Sequence, residues 1–116
     1  MQPRSSGSRL RRQEQWLFAV QSAIGLTVRT TANYWKLITT VKHPSLAGQE
    51  SAVIRALAHP TEIRLSRSDL SVRLFYRKAG KRYVCVVTKQ LDPKTAFVVT
   101  AYITDKIKEG RLIWKR

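Results

Sequence analysis

The chain has 116 residues, enough for one small domain and too few for two packed cores. Lys and Arg total 22 against 7 Asp and Glu, a formal net charge of +15 with His neutral, while 43% of residues are hydrophobic and 9% aromatic. Apolar content on that scale excludes a disordered polycation, and the single cysteine, Cys85, excludes an internal disulfide and a thiolate zinc site.

Residues 1–12 carry Arg4, Arg9, Arg11 and Arg12 among serines and a glycine, with no acid and little apolar material. Such a segment does not offset the entropy of being ordered and is expected to be a flexible basic tail ahead of one domain over residues 13–116. This basic start, followed by the apolar residues 16–20, imitates the regions of a secretory signal. The apolar stretch is short and its residues are expected to pair in a sheet, so the expected location is the cytoplasm. No run approaches the roughly 18 apolar residues of a membrane span, and no membrane partner is expected.

Residues 16–21 and 26–29, joined around Ser22 and Gly25, have the spacing of a β-hairpin, with a helix over 13–24 as the alternative. Thr30 or Thr31 then caps a helix whose Tyr34, Trp35, Ile38 and Val41 share one buried face, and His43-Pro44 ends it. Gly48 and Gln49 open a second helix with Val53, Ile54, Leu57 and Ala58 as its stripe, stopped by His59-Pro60. Beyond Pro60 the apolar period changes to two, which predicts strands over 62–65, 72–78, 82–89 and 96–104, with 111–114 as an edge strand or packed tail. The expected fold class is α+β: an N-terminal hairpin, then two short helices on one face of a mainly antiparallel sheet of about four strands.

Residues 64–116 hold 14 basic and 4 acidic residues, so a polyanion is the natural partner of the sheet half. In the last long strand, Phe97, Val99, Ala101 and Ile103 are expected against the helices, leaving Thr100, Tyr102 and Thr104 on the open face. Hydroxyls there can donate to phosphate and a phenol can stack on a base. Arg67, Arg73, Arg77 and Lys89 are candidate RNA-binding cations. RNA hydrolysis needs a proton acceptor, a proton donor and cations for the phosphorane, and His43 and His59 are the side chains that titrate near neutrality without help. The acidic residues show no two-metal constellation, and neither a metal nor another cofactor is expected.

The ordered motifs Tyr34-Trp35-Lys36-Leu37-Ile38, His43-Pro44, Pro60-Thr61-Glu62-Ile63-Arg64-Leu65-Ser66, Leu74-Phe75-Tyr76 and Val99-Thr100-Ala101-Tyr102-Ile103-Thr104 give the chain a family likeness. From Thr31 to Trp114 it resembles a bacterial and phage nuclease family of the barnase, EndoU, colicin and RelE-like superfamily. The resemblance implies a RelE-like fold and metal-independent endoribonuclease activity through a 2′,3′-cyclic phosphate. It also implies a toxin role, acting on RNA such as ribosome-bound mRNA or tRNA and held by an acidic antitoxin protein. Its matching positions are His43, Arg64, Ser66, Tyr76, Thr100 and Tyr102, with Lys89 a looser match. Where relatives carry a histidine in the first helix, this chain has Lys36, a poorer base at neutral pH that still neutralises phosphate. A non-catalytic RNA-binding or ribosome-associated protein is the second reading, favoured by Lys36. A protein-binding domain is the third, on the strength of Trp16, Trp35 and Trp114.

Overall fold

The structure, a computed structural model, describes residues 16–116. The expected tail over 1–12 lies outside the described residues. The strands are β1 (Trp16–Gln21), β2 (Thr27–Thr31), β3 (Glu62–Leu65), β4 (Val72–Ala79), β5 (Arg82–Gln90), β6 (Thr95–Thr104) and β7 (Arg111–Lys115). Between β2 and β3 lie helix α1 (Ala32–Leu37), a π-helical turn (Ile38–Lys42), a 3-10 turn (Pro44–Leu46) and helix α2 (Glu50–Ala58).

All seven strands join one mixed sheet in the order β1-β2-β6-β5-β4-β3-β7. This corrects the expected RelE-like sheet of about four strands, although the α+β class stands. The hairpin continues the sheet by pairing β2 parallel to β6, Val28 opposite Ala96, and β7 pairs with β3 at the far edge. Alternation along a segment marks a strand, but it carries no record of which strand lies beside it. The strands themselves fall within a residue or two of their expected bounds.

The core fills the side of the sheet that bears the helices. Val53, Ala56 and Leu57 of α2, with Trp35, Ile38 and Leu46, cover Val28, Ile63, Phe75, Val86, Val98 and Ala101. Each fully buried side chain of this size contributes roughly 1.5–3 kcal/mol, so α2 is held by packing rather than by its nine residues of helix propensity. Val41, expected in the buried stripe, is 70% exposed, because the π turn takes it out of the helical phase.

Strand β5 lies in the middle of the sheet and is covered on both faces, which is why Val84-Cys85-Val86 is uniformly buried rather than alternating. Its register with β6 slips between Val87 and Thr88, where Thr100 and Val98 are their partners and Val99 is the extra residue. The bulge corrects the expected face of β6. Ala96, Val98 and Ala101 enter the core, Phe97 pairs beside Lys89 on the opposite face, and Ile103 is 37% exposed.

The chain returns from β6 to β7 through residues 105–110, which must pass β5, β4 and β3. Four inter-strand spacings come to about 19 Å, while the connector reaches about 24 Å at full extension. It is therefore a taut strap across the face opposite the helices. Ile107 pins its middle to a second apolar cluster of Leu74, Tyr76 and Cys85. Gly110 ends it with φ +86°, where an added Cβ would stand 2.8 Å from the Leu65 carbonyl oxygen and 3.0 Å from Arg64 Cβ. Gly110→Ala is expected to lower stability by about 2 kcal/mol or more, read as a fall in Tm, since both the backbone conformation and the space reject a side chain. An unchanged Tm would show that the strap does not hold this landing point.

Candidate functional site

His43 is placed by local chemistry. Residues 38–41 are Ile-Thr-Thr-Val, a β-branched run, and the Thr39 and Thr40 hydroxyls donate to the carbonyls of Trp35 and Lys36 at 3.0 and 2.7 Å. Those side-chain bonds compete with the regular ladder, and the helix loosens into a π turn whose last backbone N–H, that of His43, reaches Ile38 O at 2.7 Å. Pro44 then disfavours the helical region at His43, which adopts φ −142°, ψ 78°. Ile38 and Leu46, both fully buried, anchor the chain on either side.

This segment runs beside β6 past the point where β2 stops pairing. Thr31 Oγ1 accepts the backbone N–H of Tyr34 at 3.0 Å and turns the chain into α1. The Tyr34 hydroxyl then donates to Val99 O at 2.7 Å, supplying a bond that β2 no longer gives. Tyr34 also meets Phe97 edge-on, with ring centroids 5.1 Å apart. In consequence His43 arrives over the open face, its ring centroid 5.6 Å from that of Tyr102.

The open face is ordered in cross-strand rows. Glu62, Tyr76, Cys85 and Tyr102 are successive partners across β3, β4, β5 and β6, and Arg64, Leu74, Val87 and Thr100 form the next row. Both phenols flank the buried Cys85 thiol as its cross-strand neighbours. Burial pushes the Cys85 thiol and the Tyr76 phenol each up to about 12, and burial together with Cys85 raises Tyr102 further. At neutral pH these three groups therefore keep their protons, and Tyr102 is a hydrogen-bond donor. Its hydroxyl points to Glu109 Oε1 at 3.3 Å.

The strap divides this face into two hollows. The smaller, about 430 Å³, is lined by His43, Tyr76, Thr100, Tyr102, Thr104, Lys106, Lys108 and Glu109. The larger, about 530 Å³, has Val72, Leu74 and Val87 as its floor and Ser66, Arg67 and Ser68 on its rim. Thr100, Tyr102, Lys108 and Glu109 line both.

Among the expected site residues, His43, Tyr76, Thr100, Tyr102, Ser66 and Arg67 are thus brought to the two hollows. Arg64 points to the same face but is committed: its Nε donates to Glu62 Oε2 at 2.6 Å and its Nη1 to Gly110 O at 3.1 Å. Lys89 stands at the border of the face, 3.2 Å from Asp69 Oδ2. Arg73 and Arg77 flank Phe75, so alternation turns them to the helix-bearing side, where Arg73 bonds Gln90 Oε1 at 2.6 Å and Arg77 bonds the His59 carbonyl. Lys36 is exposed on α1 and lines neither hollow, and His59 is exposed at the end of α2. Sequence reasoning missed Lys106, Lys108 and Glu109. The signal available was Ile107, one apolar residue inside a charged connector.

No helix of the described residues is long and apolar enough to cross a membrane. No family model, curated protein or solved structure matches the chain, so the site is read from its own geometry.

Two expectations test the supports of the site. Glu62 is 9% exposed, and Arg64→Ala leaves its carboxylate without a partner. The variant should lose about 2 kcal/mol in denaturant unfolding, with part recovered in the double variant Glu62→Gln, Arg64→Ala. Full stability of the single variant would contradict the structural role given to Arg64.

The loop beside the larger hollow depends on Asp69, whose carboxyl is held down to about 2 by the Ser71 hydroxyl and backbone N–H and by Lys89. A depressed native pKa stabilises above the unfolded value of about 4 and loses that contribution as pH falls through the native value. The Tm gap between the parent and Asp69→Asn should be present at neutral pH, shrink below about pH 4 and close near pH 2. A gap constant with pH would rule out the ionised carboxylate as its source.

Proposed function

We propose that the chain binds RNA on the open sheet face and cleaves it at the smaller hollow, without a metal ion in the chemistry. The observation that carries this reading is the meeting of His43, the Tyr102 phenol and the cations Lys106 and Lys108 in one cleft of a protein with net charge +15. The His43 imidazole is suited to take the proton of a ribose 2′-hydroxyl. The 2′-oxygen then bonds to phosphorus, the bond from phosphorus to the 5′-oxygen breaks, and a 2′,3′-cyclic phosphate forms. Tyr102, kept protonated by its raised pKa, turns its one O–H from Glu109 to donate a hydrogen bond to the phosphorane. Lys108 neutralises its charge and supplies a proton to the leaving oxygen.

On this reading the chain works in the cytoplasm, where its substrate is, as the toxin of a toxin–antitoxin pair. A basic cleft of this kind is most readily silenced by an acidic antitoxin that covers it. Non-catalytic RNA binding is the second reading. It is favoured by Arg64, whose charge is already matched by Glu62 instead of being free for a phosphorane, and by Lys36, which stands outside the cleft.

Purified protein incubated with total RNA in EDTA separates the two. The parent should cleave, and His43→Ala should cut about a hundredfold more slowly while RNA affinity changes less than about twofold. Affinity of both should fall steeply as salt rises. Binding without cleavage would establish the second reading, and cleavage by His43→Ala at the parental rate would remove His43 from the chemistry.

A further inference from the structure

The larger hollow shares Tyr102 and Lys108 with the cleavage hollow, but the rest of its lining has no part in the proton transfers above and is built differently from an incidental groove. Its floor, Val72, Leu74 and Val87, is an apolar patch on a sheet face that no helix covers, and Val72 and Val87 remain half-buried. Ser66 and Ser68 stand on its rim with their hydroxyls 3.3 Å apart, and Arg67 beside them is exposed. The hollow is large enough for a planar heterocycle, and a floor of aliphatic side chains offers a flat apolar surface to one. The rim offers hydroxyls to its polar edge.

A second observation lies on the seam. Thr100 lines both hollows, and its Oγ1 is buried without a hydrogen-bond partner among the described residues. Buried hydroxyls are nearly always satisfied, so Thr100 Oγ1 is open to a water or a ligand oxygen at the boundary. Lys108, also common to both hollows, places a cation at the same boundary.

We infer that the larger hollow is a nucleobase subsite next to the cleavage hollow, so that two successive nucleotides of single-stranded RNA lie on either side of the strap. This rests on the function proposed above and adds the substrate class to it. One base lies on the Val72, Leu74 and Val87 floor, the linking phosphate meets Lys108 and Thr100, and the neighbouring ribose faces His43. A paired base is held in its stack and does not enter the hollow, so duplex RNA is bound only through its phosphates.

The test uses the full chain and a fluorescently labelled single-stranded 2′-O-methyl RNA dodecamer of mixed sequence, which has no free 2′-hydroxyl to attack and so stays intact, with methyl NMR on the same titration. The methyl signals of Val72 and Val87 should shift on binding. Val87→Trp, which fills the hollow with indole, should weaken binding about tenfold at fixed salt. The annealed duplex of the same sequence should bind about tenfold more weakly than the single strand. Lys81→Glu, a change of charge at the β4–β5 turn, controls for electrostatics and should alter single strand and duplex binding alike. RNA binding with static Val72 and Val87 methyls, or equal affinity for duplex and single strand, overturns the subsite and leaves the proposed function standing. The methyl measurement is made on the parent, so it decides the matter even where Val87→Trp does not fold. No binding of any RNA overturns the proposed function and this inference together.

Discussion

Chain reach is the constraint on which the rest of this structure depends. Strands β6 and β7 lie four places apart in the sheet, and the residues between them are too few to travel by any but a nearly straight route. The helices occupy one face, so the strap takes the other, and its presence converts a plain sheet surface into two hollows. Gly110 and Ile107 follow from the same geometry. One lets the strap turn into β7 against the backbone of Leu65, and the other gives it a hold on the apolar cluster beneath.

The strap also determines which charges are free. Arg64 donates both to Glu62 and to the strap's last carbonyl, so a guanidinium on the open face serves as a fastening. Lys106 and Lys108 ride on the strap and face the hollows. A basic site here is made by a connector laid over a largely apolar sheet face, with hydroxyls rather than arginines at its base. His43 approaches from the opposite direction, because β2 stops short on β6 and the helical segment takes the place beside it.

The elements were legible in the sequence because hydrophobic period is a local property: residues 62–65, 72–78 and 82–89 alternate or run apolar as strands do. Tyr102 and Thr100 could be proposed for the same reason, from strand phase, and His43 as one of only two histidines in the sequence. Neighbour relations were not legible. The parallel contact of Val28 with Ala96 joins segments far apart in the chain, and nothing in either names the other. Two residue-level shifts were also hidden. The bulge at Val99 moves Phe97 out of the core phase, and the π turn does the same to Val41. Arg73 and Arg77 looked like RNA ligands by charge alone, but their neighbour Phe75 belongs to the core and turns them to the other side. The strap residues were passed over because a loop pattern shows where a chain bends and not what it crosses.

The far edge of the sheet has a bearing on how the protein behaves in concentrated solution. Pairing of β7 with β3 shifts register between Ile63 and Arg64, so the outermost strand is kinked, and Leu112 and Ile113 on it are exposed between Arg111 and Lys115. A second copy aligning antiparallel on that edge, centred on Ile113, would set Arg111 against Lys115 at both ends. Like charges and a bent ladder oppose growth of the sheet from molecule to molecule, which leaves two apolar side chains in water without making them a seed for fibrils. Colloidal stability in this chain therefore has a local source at one strand, distinct from the repulsion of its overall charge.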